Sequence, residues 1–75
     1  MLTYNDPVAQ ANRHKAYAQG YNTQVALVTN KKIVFCFDEY VEGKNFLFNI
    51  KLDGDTAEMK KGRISDRWYI AVYFN

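Results

Sequence analysis

Period-two alternation of bulky apolar residues constrains this chain more than any other feature. In Lys32 to Asp38, Ile33, Phe35 and Phe37 alternate with Val34 and Cys36. In Phe46 to Leu52, Phe46, Phe48, Ile50 and Leu52 alternate with Leu47, Asn49 and Lys51. In Arg67 to Phe74, Trp68, Ile70, Val72 and Phe74 alternate with Tyr69, Ala71 and Tyr73. Successive side chains on a strand point to opposite faces, so each stretch reads as a strand with one buried face. Two weaker runs complete the set, and strands are expected at about 24–29, 32–38, 46–52, 56–60 and 66–74. The connections between them are short, which means antiparallel hairpins. Asp53-Gly54 carries a strong hairpin-turn signal, and at Asn30-Lys31 the Asn accommodates a positive φ.

The segment before the strands reads as a helix over about 6–19. Asn5 or Asp6 caps it, Pro7 suits its first turn, and Gly20 ends it. Val8, Ala11, Lys15 and Ala18 share one face, with Ala9, Ala16 and Tyr17 beside it, and His14 is expected on the surface. So thin a stripe needs a flat surface to dock on. The expected fold class is α+β in a single small domain over 1–75. Its N-terminal α-helix packs on a four- to five-stranded antiparallel β-sheet, a meander; the alternative is a sheet curled toward a partial barrel. No internal repeat is visible.

Sorting the strands by face gives a core of Ile33, Phe35, Phe37, Phe46, Phe48, Ile50, Leu52, Trp68, Ile70, Val72 and Phe74. The opposite face offers Ala26, Val28, Val34, Cys36, Leu47, Tyr69, Ala71 and Tyr73, with Lys32, Asn49, Lys51 and Arg67 around them. One thin helix covers one face only. The second face either closes on itself or meets another chain, and its Tyr-plus-Arg centre is what protein interfaces enrich.

Composition removes most other functions. At 75 residues there is room for one domain. Hydrophobic residues at 48% are too many for a disordered chain, and no run of apolar residues is long enough to span a membrane. A single Cys allows no internal disulfide. The start carries no basic and long apolar segments, so no signal peptide is expected, and the chain reads as complete, intracellular and cytoplasmic. A net charge of +2 gives neither the basic excess of a typical nucleic-acid binder nor the acidic excess of a nucleic-acid mimic.

No catalytic constellation, cofactor site or metal site is expected. Cys36 sits in mid-strand and His14 on the helix, so a nucleophile–base pair requires the helix to cross the thiol. One His and one Cys do not make a zinc site. Asp53, Asp55 and Glu58 surround Gly54, but the glycine falls between the first two acids, which is not the order of a calcium loop. Asp38, Glu39 and Glu42 form a second acidic cluster in a solvated loop. The four glycines are isolated, with no phosphate-binding pattern. Lys44 to Lys51 places aromatics two apart between lysines, as RNA-stacking strands do, but Asn45 and Leu47 stand where that pattern has glycine.

A short helix-plus-sheet chain with no site and one adhesive face has the profile of small phage and mobile-element proteins that bind and block a host factor. The expectation is therefore a non-enzymatic protein-binding module, an inhibitor or adaptor, with Tyr69, Tyr73, Arg67, Lys51, Asn49, Leu47 and Lys32 as partner-binding residues. Its partner is a protein not identified by the sequence, or a second copy in a homodimer. The alternative is a small nucleic-acid-binding protein that uses the same aromatic and basic face.

Overall fold

The computed structural model describes residues 6–64 and 66–74. The elements run α1 (Pro7–Ala18), β1 (Thr23–Val28), β2 (Lys32–Phe37), α2 (Tyr40–Leu52), β3 (Thr56–Lys61) and β4 (Trp68–Tyr73). The expected α+β class is present, but the expected meander is replaced by a split strand order, because the segment foreseen as the third strand is a helix. The N-terminal helix packs on a four-stranded antiparallel sheet, which stays open. The strand order is β1-β2-β4-β3, so α2 carries the chain past the central position that β4 fills later. Residues β2–α2–β3 thus make a split β-α-β unit with β4 between its strands.

Local chemistry explains the boundaries of α1. The Asp6 carboxylate accepts from the Val8 and Ala9 amides at 2.8 and 3.4 Å, and Pro7 follows at the first helical position, where no N–H is needed. Asn5, the other cap candidate, lies outside the described residues. The β1–β2 turn at Asn30-Lys31 closes without any positive φ, contrary to expectation. The Thr29 hydroxyl does the work instead, accepting from the Lys31 and Lys32 amides at 3.1 Å each.

The expected strand at 46–52 is the second half of helix α2. Phe46 and Ile50 are buried as foreseen, because a spacing of four fits both a strand face and a helix face. The two periods part at the intervening positions. Phe48 is 64% exposed and Leu52 69% exposed, so both leave the core, while Gly43 and Leu47 join Phe46 and Ile50 on the inner stripe. Asp53-Gly54 is correspondingly a helix stop rather than a hairpin. Gly54 has φ +91°, its amide bonds the Lys51 carbonyl, and the Asp55 amide reaches back to the Ile50 carbonyl.

Both helices lie on one side of the sheet, α1 against β1 and β2, and α2 against β3, β4 and β2. Between them and the sheet lie Ile33, Phe35, Phe37, Phe46, Ile50, Ile70 and Val72, each at most 1% exposed. Phe46 is the hub of this core. Its ring meets Phe35, Phe37, Tyr17 and Tyr21 at centroid distances of 5.2, 5.3, 5.8 and 5.1 Å. Trp68 and Phe74 pack at its margin. On α1 the buried residues are Gln10, Ala11, His14 and Ala18, while Val8 and Lys15 face out. The stripe is rotated from the expected one, and His14, expected at the surface, is only 1% exposed.

Candidate functional site

With two helices on one side, no described helix or strand covers the other side of the sheet. In an antiparallel ladder, residues directly opposite one another share a face. Val34 pairs with Ala71, Cys36 with Tyr69, and Lys32 with Tyr73 across the β2–β4 seam. Glu58 pairs with Ala71 and Lys60 with Tyr69 on the β3 side, and Gln24 and Leu27 extend the face onto β1. Apolar and aromatic residues thus occupy the centre, Glu58 and Lys60 charge the β3 flank, Lys32 stands at one end of the β2–β4 seam, and the β1 flank is uncharged.

The charged groups are knit to the tyrosines. The Tyr73 hydroxyl donates to the Glu58 carboxylate at 2.7 Å. This bond holds the Glu58 carboxyl below its ordinary pKa, with Lys60 adding to the effect from 3.7 Å, and it lifts the Tyr73 phenol above its ordinary value. The Lys32 ammonium stands 5.7 Å from the centre of the Tyr73 ring. Between these groups is a shallow depression of about 140 Å³ lined by Lys32, Val34, Glu58, Lys60, Tyr69 and Ala71. It is a contact surface with relief, too open to enclose a small substrate.

Of the seven expected partner-binding residues, the structure brings Tyr69, Tyr73 and Lys32 together here. Arg67 sits at the end of the sheet, where its Nε is 3.2 Å from an Asp38 carboxylate oxygen. Leu47, Asn49 and Lys51 are not on this face, because they belong to α2 on the far side of the sheet. Leu47 packs on the core, the Asn49 amide donates to the Tyr21 hydroxyl at 2.8 Å, and Lys51 is exposed on the helix. Glu58 and Lys60 were missed, although the alternation of Thr56, Glu58 and Lys60 with Ala57 and Met59 already carries the signal. Gln24 and Leu27 replace Ala26 and Val28 on β1, since a bulge between Val25 and Leu27 shifts the alternation.

The other chemical candidates are dispersed. Cys36 is half-buried on the open face while His14 is buried on the helix side, so the sheet separates thiol and imidazole. Asp53 ends α2, Asp55 pairs with Arg13 at 3.4 Å, and Glu58 turns to the open face. Among the described residues, no three His, Cys, Asp or Glu side chains converge as metal ligands, and no helix is long and apolar enough to cross a membrane. Compared with known proteins, the chain matches no family model, no curated protein and no solved structure.

Proposed function

We propose that this chain is a non-enzymatic protein-binding module, an inhibitor or adaptor that acts by occupying a partner's surface with the open face of its sheet. The observation that supports this reading is the composition of that uncovered face. Tyr69, Tyr73, Val34 and Ala71 form a centre that burial rewards, and Lys32, Glu58 and Lys60 form a rim of mixed charge. Tyrosine combines large apolar area with a polar tip, which is why it carries interface energy out of proportion to its number.

A nucleic-acid reading of the same face is the weaker one. A base stacks on a ring whose face is open, and Lys32 stands over the Tyr73 ring while the Glu58 carboxylate beside it repels phosphate.

The test is affinity capture with the wild-type chain and Tyr73→Ala, with and without nuclease, at low and high salt. Tyr73 lies outside the buried core, so the variant is expected to lose less than about 1 kcal/mol of stability but about 1–3 kcal/mol of partner binding. Capture that vanishes with nuclease and falls steeply with salt moves the assignment to nucleic acid. Binding unaffected by Tyr73→Ala removes the open face from the function.

A further inference from the structure

The two edges of the sheet are finished differently. The outer edge of β3 carries Glu58, Lys60 and Lys61, charges of the kind that keep an edge from pairing with a foreign strand. The opposite edge, β1, reads Thr-Gln-Val-Ala-Leu-Val and has no charged residue. Every residue from Gln24 to Val28 is exposed, with Val25 at 43%, Leu27 at 49% and Val28 at 44%. Among the described residues strand β1 pairs on one side only, with β2, so about half of its backbone N–H and C=O groups face outward, in a row interrupted by the bulge at Ala26. Beside it, on the helix side, runs an apolar groove of about 450 Å³ between α1 and the end of β1, walled by Pro7, Val8, Ala11 and Val28.

The geometry points to β1 of a second copy as the occupant of this edge, in an antiparallel two-fold pairing that joins two four-stranded sheets into one of eight. Outward backbone groups in a row are satisfied by a strand and not by a helix or a small molecule. The apolar side chains of β1 lie on both of its faces. Val25 and Val28 sit on the helix side, paired with Phe35 and Ile33, and Leu27 is on the open side, paired with Val34. An identical strand laid alongside therefore finds apolar neighbours above and below.

Charge selects the orientation. Lys31 follows the strand in the β1–β2 turn, so each copy carries a lysine just beyond the same end of β1. Antiparallel pairing places these lysines at opposite ends of the joined strands, roughly 20 Å apart for six residues. Parallel pairing sets them side by side. The antiparallel arrangement is also the one that a two-fold axis generates, so each copy fills the other's edge and the assembly closes. The open face that carries Tyr69 and Tyr73 takes no part in this pairing and becomes continuous across both copies. The inference is thus independent of what that face binds.

Sedimentation equilibrium on the full chain across the micromolar range tests it, with Val28→Lys, Ala26→Lys and Tyr73→Ala run in parallel. The expected result is a dimer for the wild type and for Tyr73→Ala. Both lysine variants should dissociate at least about tenfold more readily with unchanged far-ultraviolet circular dichroism. Ala26 is exposed at the bulge, so Ala26→Lys keeps the test valid if Val28→Lys disturbs the groove. A wild-type monomer throughout the range overturns the inference and leaves the edge to a strand from another protein. A dimer that survives both lysines and is lost in Tyr73→Ala also overturns it, by placing the self-contact on the open face.

Discussion

The chain is two α-β-β halves of nearly equal dimensions, and they are filled differently. Helices α1 and α2 have 12 and 13 residues, and all four strands have six. Each half places its second strand at the middle of the sheet and its first at an edge. Buried residues stand at the same spacing of three and four on each helix, Ala11, His14 and Ala18 on α1 and Gly43, Phe46 and Ile50 on α2, and α1 buries Gln10 in addition. The second helix supplies bulk through Phe46 and Ile50. The first supplies close approach through its alanines, and where its counterpart has a phenylalanine it has an imidazole. His14 stacks on Phe74, the rings nearly parallel with centroids 6.2 Å apart, and its Nε2 is buried without a hydrogen-bond partner among the described residues. One architecture therefore tolerates both a saturated apolar contact and a polar one, but only the second ties the fold to pH.

The largest effect is expected where the halves meet. Phe46→Ala removes the ring that touches Phe35, Phe37, Tyr17 and Tyr21, and should lower stability by about 3–5 kcal/mol, enough to unfold most of so small a domain. Phe48→Ala, two residues away but on the outer side of α2, should change stability by less than about 0.5 kcal/mol. Urea denaturation of the pair decides between helix and strand at this segment, and equal losses would restore the strand.

The next effect belongs to His14. Desolvation lowers its pKa below the ordinary 6.5, opposed by nearby Asp55 and reinforced by Arg13. The folded state therefore holds the imidazole neutral at a pH where the unfolded chain already binds a proton. Stability should fall as pH drops below about 6.5 and level off beneath the lowered folded pKa, with a slope of at most about 1.4 kcal/mol per pH unit. His14→Leu should remove this slope and, by deleting the unpartnered nitrogen, raise stability at neutral pH by about 1 kcal/mol. A variant that keeps the wild-type melting profile between pH 7 and 5 would show that other groups set it.

Gly43→Ala gives a small change at a close approach of α2 to the sheet. An added methyl would lie 2.6 Å from the Met59 terminal methyl, the far end of a flexible side chain, and at ordinary contact distance from Ile70 and Phe37. The helix gains about 1 kcal/mol from replacing glycine, and moving Met59 offsets part of it. The melting temperature should stay level or rise by a few degrees. A clear fall would mean that Met59 has nowhere to go.

The parts legible in the sequence were those with one physical meaning. Alternation in 32–37 and 68–73 is bounded by turn residues and fits only strands, so the open face and most of the core followed from it. The segment 46–52 failed because its apolar residues satisfy two periods at once. Gly43, Phe46, Leu47 and Ile50 stand at the helical spacing of three and four, and Asp53-Gly54 serves a helix end as well as a hairpin. With that strand turned into a helix, Leu47, Asn49 and Lys51 left the open face. His14 was misplaced for a different reason. Its stripe on α1 is so weakly apolar that periodicity does not fix the rotation of the helix, and only the docking of Ala11 and Ala18 under the sheet does.

The position of β4 between β2 and β3 also sets the order of events in time. The two hairpins are local and can form early, but each exposes half a core. The seam that joins them has its shortest rung at Phe37 and Trp68, and even this rung encloses all of α2 and β3. Loop closure must therefore precede most of the burial that rewards it. The sheet does not grow strand by strand. From this topology we expect the docking of the two hairpins to limit the folding rate.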